Sequence, residues 1–218
     1  MLTLLIAFAC SAAITMLLVR SASLHAWHTS DHDFSKPQKF HIVTVPRIGG
    51  VGIFFGRAGW LGRCALVLWS SIGQLALALM GCAAPAFLAG VTQDMTEALT
   101  PRGRLVATGI SAALACCFLG AGIRETATPG LDWLVSFGLG AAAVTIFAAA
   151  GVANAVNIID GFNGLASMCV MLMLGVVEYV VIQVSDPLLG TLALGCIGAV
   201  LRLFLWNFPS GLIFLGDG

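Results

Sequence analysis

Apolar residues in this chain come in runs too long for strands or for the one-sided stripe of a soluble helix. The runs 2–19, 105–123, 131–153, 164–183 and 188–205 each approach the roughly 20 residues a helix needs to cross a bilayer. Between Gly50 and Thr92 lie 43 more residues, enough for two further spans with a break near Ser70-Ser71-Ile72-Gly73-Gln74, although Arg57 and Arg63 fall in the first half. No alternation at barrel spacing repeats, and lipid leaves every backbone polar group to be satisfied within its own segment, so all spans should be helices. The pattern predicts an all-α protein: a polytopic transmembrane helical bundle of about seven spans, forming one domain over residues 1–218. No Lys or Arg precedes the run Leu2 to Val19, and other apolar runs follow it. It therefore reads as an uncleaved first span rather than a signal peptide.

Composition sharpens this picture. Hydrophobic residues make up 59% of the chain and charged residues 9%, against about 25% charged in soluble domains. Ten basic residues balance ten acidic ones, which leaves no basic face for nucleic acid. The seven cysteines all lie inside apolar runs and none forms a CxxC, so they read as small core residues.

Basic residues set the orientation. Arg20, Lys36, Lys39 and Arg47 fill the first loop, and Arg102 and Arg104 flank the loop after the third span. The loops expected on the other side, 124–130 and 184–187, hold only Arg124. Loop one, and with it 93–104, 154–163 and 206–218, should face the cytoplasm. Asp31, Asp33, Asp94, Glu97, Asp160 and Asp217 then share one face with Lys36, Lys39 and His41. Such a gathering of charge marks a site.

The richest segment runs from Asn154 to Leu165, with Asn154, Asn157 and Asp160 at steps of three. On a helix each step rotates by about −60°, so the three side chains share a face. Amides and a carboxylate at a membrane helix end suit a hydrated metal ion or a nucleoside, although Asn and Asp also form ordinary helix caps. Gly161 and Gly164 permit close approach of a ligand. Asp94 stands where a long apolar stretch stops, either as a base or as a solvated loop acid before the helix start at Thr100-Pro101. Asp217 lies between two glycines. Lys36, Lys39, His41 and Arg47, beside the pair Gly49-Gly50, combine charge and backbone N–H groups suited to phosphate. They equally fit an ordinary basic loop. His25, His28 and His32 match no standard metal spacing. Together the oxygen donors and bases point to Mg²⁺ and phosphates.

Four segments resemble the polyprenyl-phosphate N-acetylhexosamine-1-phosphate transferases, also called glycosyltransferase family 4. They are Lys39-Phe40-His41 with Pro46 to Gly50, Gly90 to Asp94, Asn154 to Leu165, and Phe214 to Gly218. The Pro-Arg-Ile-Gly-Gly form looks most like the branch that initiates O-antigen and common-antigen synthesis. The resemblance implies transfer of a sugar-1-phosphate from a UDP-N-acetylhexosamine to undecaprenyl phosphate, with release of UMP, at the inner membrane of a bacterium. It implies Mg²⁺, with Mn²⁺ as an alternative, and is compatible with a homodimer. By residue-to-residue match, Asp94 and Asp160 would be catalytic and Asp217 a metal ligand. Lys39, His41, Arg47, Asn154, Asn157 and Asn163 would bind substrate.

Three departures accompany the match. Gln93 stands where the family carries the first of two acids, Asn163 replaces an Asp of some relatives, and the family continues past Gly218 with further spans and a His-rich loop. The expectation is therefore a C-terminally truncated member that lacks one wall of its site. The other readings are a non-catalytic remnant and a transporter, the latter motivated by Glu178 and Arg202 inside spans.

Overall fold

The computed structural model describes residues 2–20, 49–54, 71–96, 98–160, 162–209, 211 and 216 of the protein. Within them lie helices α1 (Leu2–Arg20), α2 (Ser71–Thr96), α3 (Pro101–Leu119), α4 (Pro129–Val135), α5 (Gly138–Ile159), α6 (Leu165–Val184) and α7 (Pro187–Asn207). Residues 49–54 are also helical, and no strand occurs among the described residues. Helices α2, α3, α5, α6 and α7 are long and apolar enough to cross a membrane. Their outer faces expose large apolar side chains such as Ile110, Phe147, Leu172 and Val176, which a bilayer solvates.

Local chemistry explains the helix ends. Thr100 caps α3 by accepting from the Gly103 N–H at 3.2 Å, and Pro101 fills the first helical position. Gly120, at φ 62°, ends it in the left-handed region. Asp186 caps α7 by accepting from Leu188 and Leu189. Pro85 interrupts the ladder of α2, and the next N–H, on Ala86, donates to Ser111 Oγ of α3 at 3.0 Å.

α7 is the most deeply packed element, held between α1 and α6, while α3 packs on α2 and α5. A Cβ at Gly198 would run into the Leu4 carbonyl, so glycine lets the α1 and α7 backbones touch. Ser11 Oγ donates to Ala199 O of the same seam at 3.2 Å. Leu4 beside Gly198 and Phe8 beside Arg202 show that α1 and α7 run in the same direction. The cluster of Ala76 and Leu192, with Leu75, Leu79 and Leu188, packs the first half of α2 against the start of α7.

The expected spans 2–19, 164–183 and 188–205 match α1, α6 and α7 closely. Two expectations are corrected. The span placed at 105–123 begins at Pro101 and ends at Leu119, because the Thr100-Pro101 cap starts it a turn earlier; Arg102 and Arg104 become helical. The span placed at 131–153 is two elements. α4 ends at Ser136, and α5 then continues to Ile159. The turn between them packs so tightly that a Cβ at Gly140 would strike the Leu134 carbonyl. The second span expected between Gly50 and Thr92 is α2, which begins within the foreseen break and reaches Thr96. The first of that pair falls mostly outside the described residues.

Candidate active site

The site end of the bundle forms where α2, α5 and α7 finish and α3 and α6 begin. Arg104 Nη1 donates to Asn157 Oδ1 at 3.5 Å, joining the start of α3 to the end of α5. The buried Asn207 Oδ1 accepts from the Gly164 N–H, joining α7 to the start of α6. Asn163 Nδ2 donates to Pro209 O at 3.1 Å. These contacts bring the segments 93–104, 154–163 and 206–209 to one end, as the charge pattern predicts.

On α5, Asn154 is exposed and Asn157 half-buried, and Asp160 is the C-cap, its N–H donating to Asn157 O at 3.4 Å. A carboxylate at a helix C-terminus opposes the macrodipole. That placement favours a nearby cation. Gly164 sits at φ 77°, and a Cβ there would come within 2.9 Å of Phe204 and Phe208. Glycine is required on both counts, and it seats the N-terminus of α6 against α7. Asn163 Oδ1 is buried and accepts no hydrogen bond among the described residues.

At the end of α2, Gln93 Oε1 accepts from the Leu99 N–H at 2.8 Å and closes the turn into α3. Thr92 and Thr96 hydroxyls bond back to Leu88 O and Thr92 O at 2.7 and 2.6 Å. Asp94 lies half-buried in this last turn.

A pocket of about 310 Å³ opens between α2, α3, α5 and residues 50–54. Ile53, Phe54, Ala83, Phe87 and Leu105 wall it, Phe54 and Phe87 stacking at 3.9 Å. Arg104, Asn154 and Asn157 form its polar rim. The structure therefore gathers Asn154 and Asn157 at the pocket, whereas Asp94, Asp160 and Asn163 lie among the surrounding turns and do not line it. Lys39, His41, Arg47 and Asp217 lie outside the described residues, as does the histidine trio of the first loop. No trio of His, Cys, Asp or Glu side chains is arranged for a metal among the described residues.

Sequence reasoning missed two residues here. Arg104 counted only as a topological charge, though a base in a helix's first turns opposes the macrodipole and so invites a second explanation. Asn207 carried no assigned role, yet an amide closing an apolar run just before Phe208-Pro209 was a usable signal.

An all-helical membrane bundle with one amide- and carboxylate-rich end defines the class. The chain belongs to glycosyl transferase family 4, whose model matches residues 76–218. It is 24% identical over its full length to a probable undecaprenyl-phosphate N-acetylglucosaminyl 1-phosphate transferase of Bacillus subtilis (strain 168), covering 59% of that protein. It is 31% identical to a phospho-N-acetylmuramoyl-pentapeptide-transferase of Thermosynechococcus vestitus, over 79% of this chain and 48% of that one. A transferase of the same name from Lactococcus lactis (subsp. cremoris, strain MG1363) is 32% identical over 58% of this chain and 39% of its own. The chain thus spans about half the length of these relatives.

Proposed function

We propose that the protein contributes the membrane core of an enzyme that moves an N-acetylhexosamine-1-phosphate from a UDP-sugar to undecaprenyl phosphate, as the first membrane step of envelope polysaccharide synthesis. The observation that carries this reading is an apolar pocket ending on a guanidinium and two amides, Arg104, Asn154 and Asn157. A lipid phosphate is built the same way, with an apolar tail and an anionic head. Support for the acceptor also comes from a relative named for undecaprenyl phosphate. The bilayer would be the bacterial inner membrane, with the site facing the cytoplasm, as the basic loops suggest. The protein would act alone or as a homodimer.

In this reading a lipid-phosphate oxygen attacks the sugar-bearing phosphorus, and the bond to the bridging oxygen breaks to release UMP. Arg104 orients the lipid phosphate by charge, and Asp94 takes any proton that it carries. Asn154, Asn157 and Asn163 hydrogen-bond the nucleotide side, while Lys39, His41 and Arg47 approach the phosphates. The donor set fits Mg²⁺, or Mn²⁺ in its place: hard oxygens, including the buried Asn163 Oδ1, which has no partner among the described residues, and the Asp160 carboxylate at a helix end. Asp217 and Asp160 would hold the ion, which would neutralise charge on the diphosphate. The experiment incubates membranes containing the full-length protein with radiolabelled UDP-N-acetylhexosamine, Mg²⁺ and undecaprenyl phosphate. Lipid-linked label is expected, with strong loss in Asp160→Asn and Asp94→Asn. Absence of label, or full activity in both variants, refutes the reading.

A further inference from the structure

Two polar side chains on α7 lie away from the candidate site, on the side that meets α1. The Arg202 guanidinium stands 4.7 Å from the centre of the Trp206 ring and 5.7 Å from that of Phe8. Both Arg202 and Trp206 are half-buried. Arg202 Nε and Trp206 Nε1 are buried donors with no acceptor among the described residues. The rings strip water from the guanidinium and attract it weakly through their faces, but they accept no hydrogen bond in return. An arginine cannot shed its charge, and a permanent cation within a membrane helix requires an anion or water.

Depth selects the anion. Arg202 precedes the last residue of α7, Asn207, by five positions, or about 7.5 Å of helix rise. The guanidinium reaches over Trp206, one residue from that end of α7, so a long side chain can extend to a headgroup on the same side as the candidate site. Here the abundant anion is a lipid phosphate, whose oxygens suit a forked guanidinium. One turn deeper on α1 than Phe8, Leu5 is 61% exposed and offers apolar surface to an acyl chain.

We propose that Arg202 and Trp206, in the seam between α1 and α7, bind the phosphate of an anionic phospholipid in the leaflet at the site end. The guanidinium and the indole N–H donate to its oxygens, and the tails descend along α1. This lipid is separate from the substrate pocket and does not depend on the transferase reading.

The test measures the thermal midpoint of delipidated, detergent-solubilised protein with added phosphatidylglycerol, with diacylglycerol, or with inorganic phosphate. Phosphatidylglycerol should raise the midpoint and the other two should not. Arg202→Gln and Trp206→Phe should each weaken the lipid's effect by roughly tenfold in required concentration, the loss of one charge-assisted or buried hydrogen bond. Trp206→Phe keeps an aromatic face under Arg202 and loses the indole N–H, so it carries the test if Arg202→Gln does not fold. An equal rise in wild type and the tested variants, or a rise reproduced by diacylglycerol, overturns the proposal. A rise reproduced by inorganic phosphate shows a soluble-anion site and overturns the lipid assignment.

Discussion

Arg104 of α3 and Asn157 of α5 meet side chain to side chain across the rim of the apolar pocket, at 3.5 Å. The contact is long for a hydrogen bond, and it ties the start of α3 to the end of α5 beside the pocket. Arg104→Ala should lower kcat/KM of the full-length enzyme by roughly 10–100-fold, the worth of a charge-assisted hydrogen bond. Arg104→Lys should fall between, since it keeps the charge and loses the fork. Because the pair touches, Arg104→Ala and Asn157→Ala should combine non-additively in steady-state kinetics.

The buried Asn207 Oδ1 accepts from the Gly164 N–H at the start of α6. Asn207→Ala leaves that buried donor unpaired, at a cost of about 1–3 kcal/mol. A lower thermal midpoint in detergent checks it. Gly164→Ala should be at least as damaging, because it adds a left-handed penalty of about 1–2 kcal/mol to the contact with Phe204 and Phe208.

The Gln93 side-chain carbonyl oxygen accepts from the Leu99 N–H at 2.8 Å and closes the turn. A carboxylate can accept the same bond. Gln93→Glu should therefore leave the thermal midpoint near wild type, whereas Gln93→Ala should lose about 1 kcal/mol. If both variants melt together below wild type, the structural role of this oxygen is wrong.

Asp132 accepts from both the Thr126 hydroxyl and the Thr126 N–H, each at 2.6 Å. These bonds, the hydroxyl's first, hold its carboxyl below the ordinary value of 3.8. A depressed folded-state value means the stabilisation is present above the unfolded value and is lost as pH falls through the folded one. Asp132→Asn should thus lower the thermal midpoint at neutral pH, and the difference should shrink below about pH 3.8. Asp132 is only half-buried, so the effect should be small and reduced by salt.

Long apolar runs made most of the bundle legible, since lipid imposes helices on them whatever their propensities. Asn154, Asn157 and Asp160 were legible for a related reason: amides three apart are conspicuous where nearly every neighbour is apolar. The split at Ser136-Phe137 was not, because it depends on a close approach between Gly140 and the Leu134 carbonyl that hydropathy cannot register. Arg104 was hidden by a sufficient topological explanation for its charge. The turn held by Gln93 rests on a bond six residues away, which neither hydropathy nor spacing registers.

The seam between α1 and α7 also bears on how the protein is made. Ser11 and Ala199 bond across a sequence separation of 188, and α7 is the main partner of α1 among the described helices. At roughly 5–20 residues per second, the ribosome needs on the order of 10–40 s to deliver that partner. During this interval α1 sits in the bilayer with its seam covered by lipid or by a membrane chaperone. A glycine-to-leucine change at Gly198 would therefore first be felt as slow assembly and proteolysis of new chains, before any effect on chemistry.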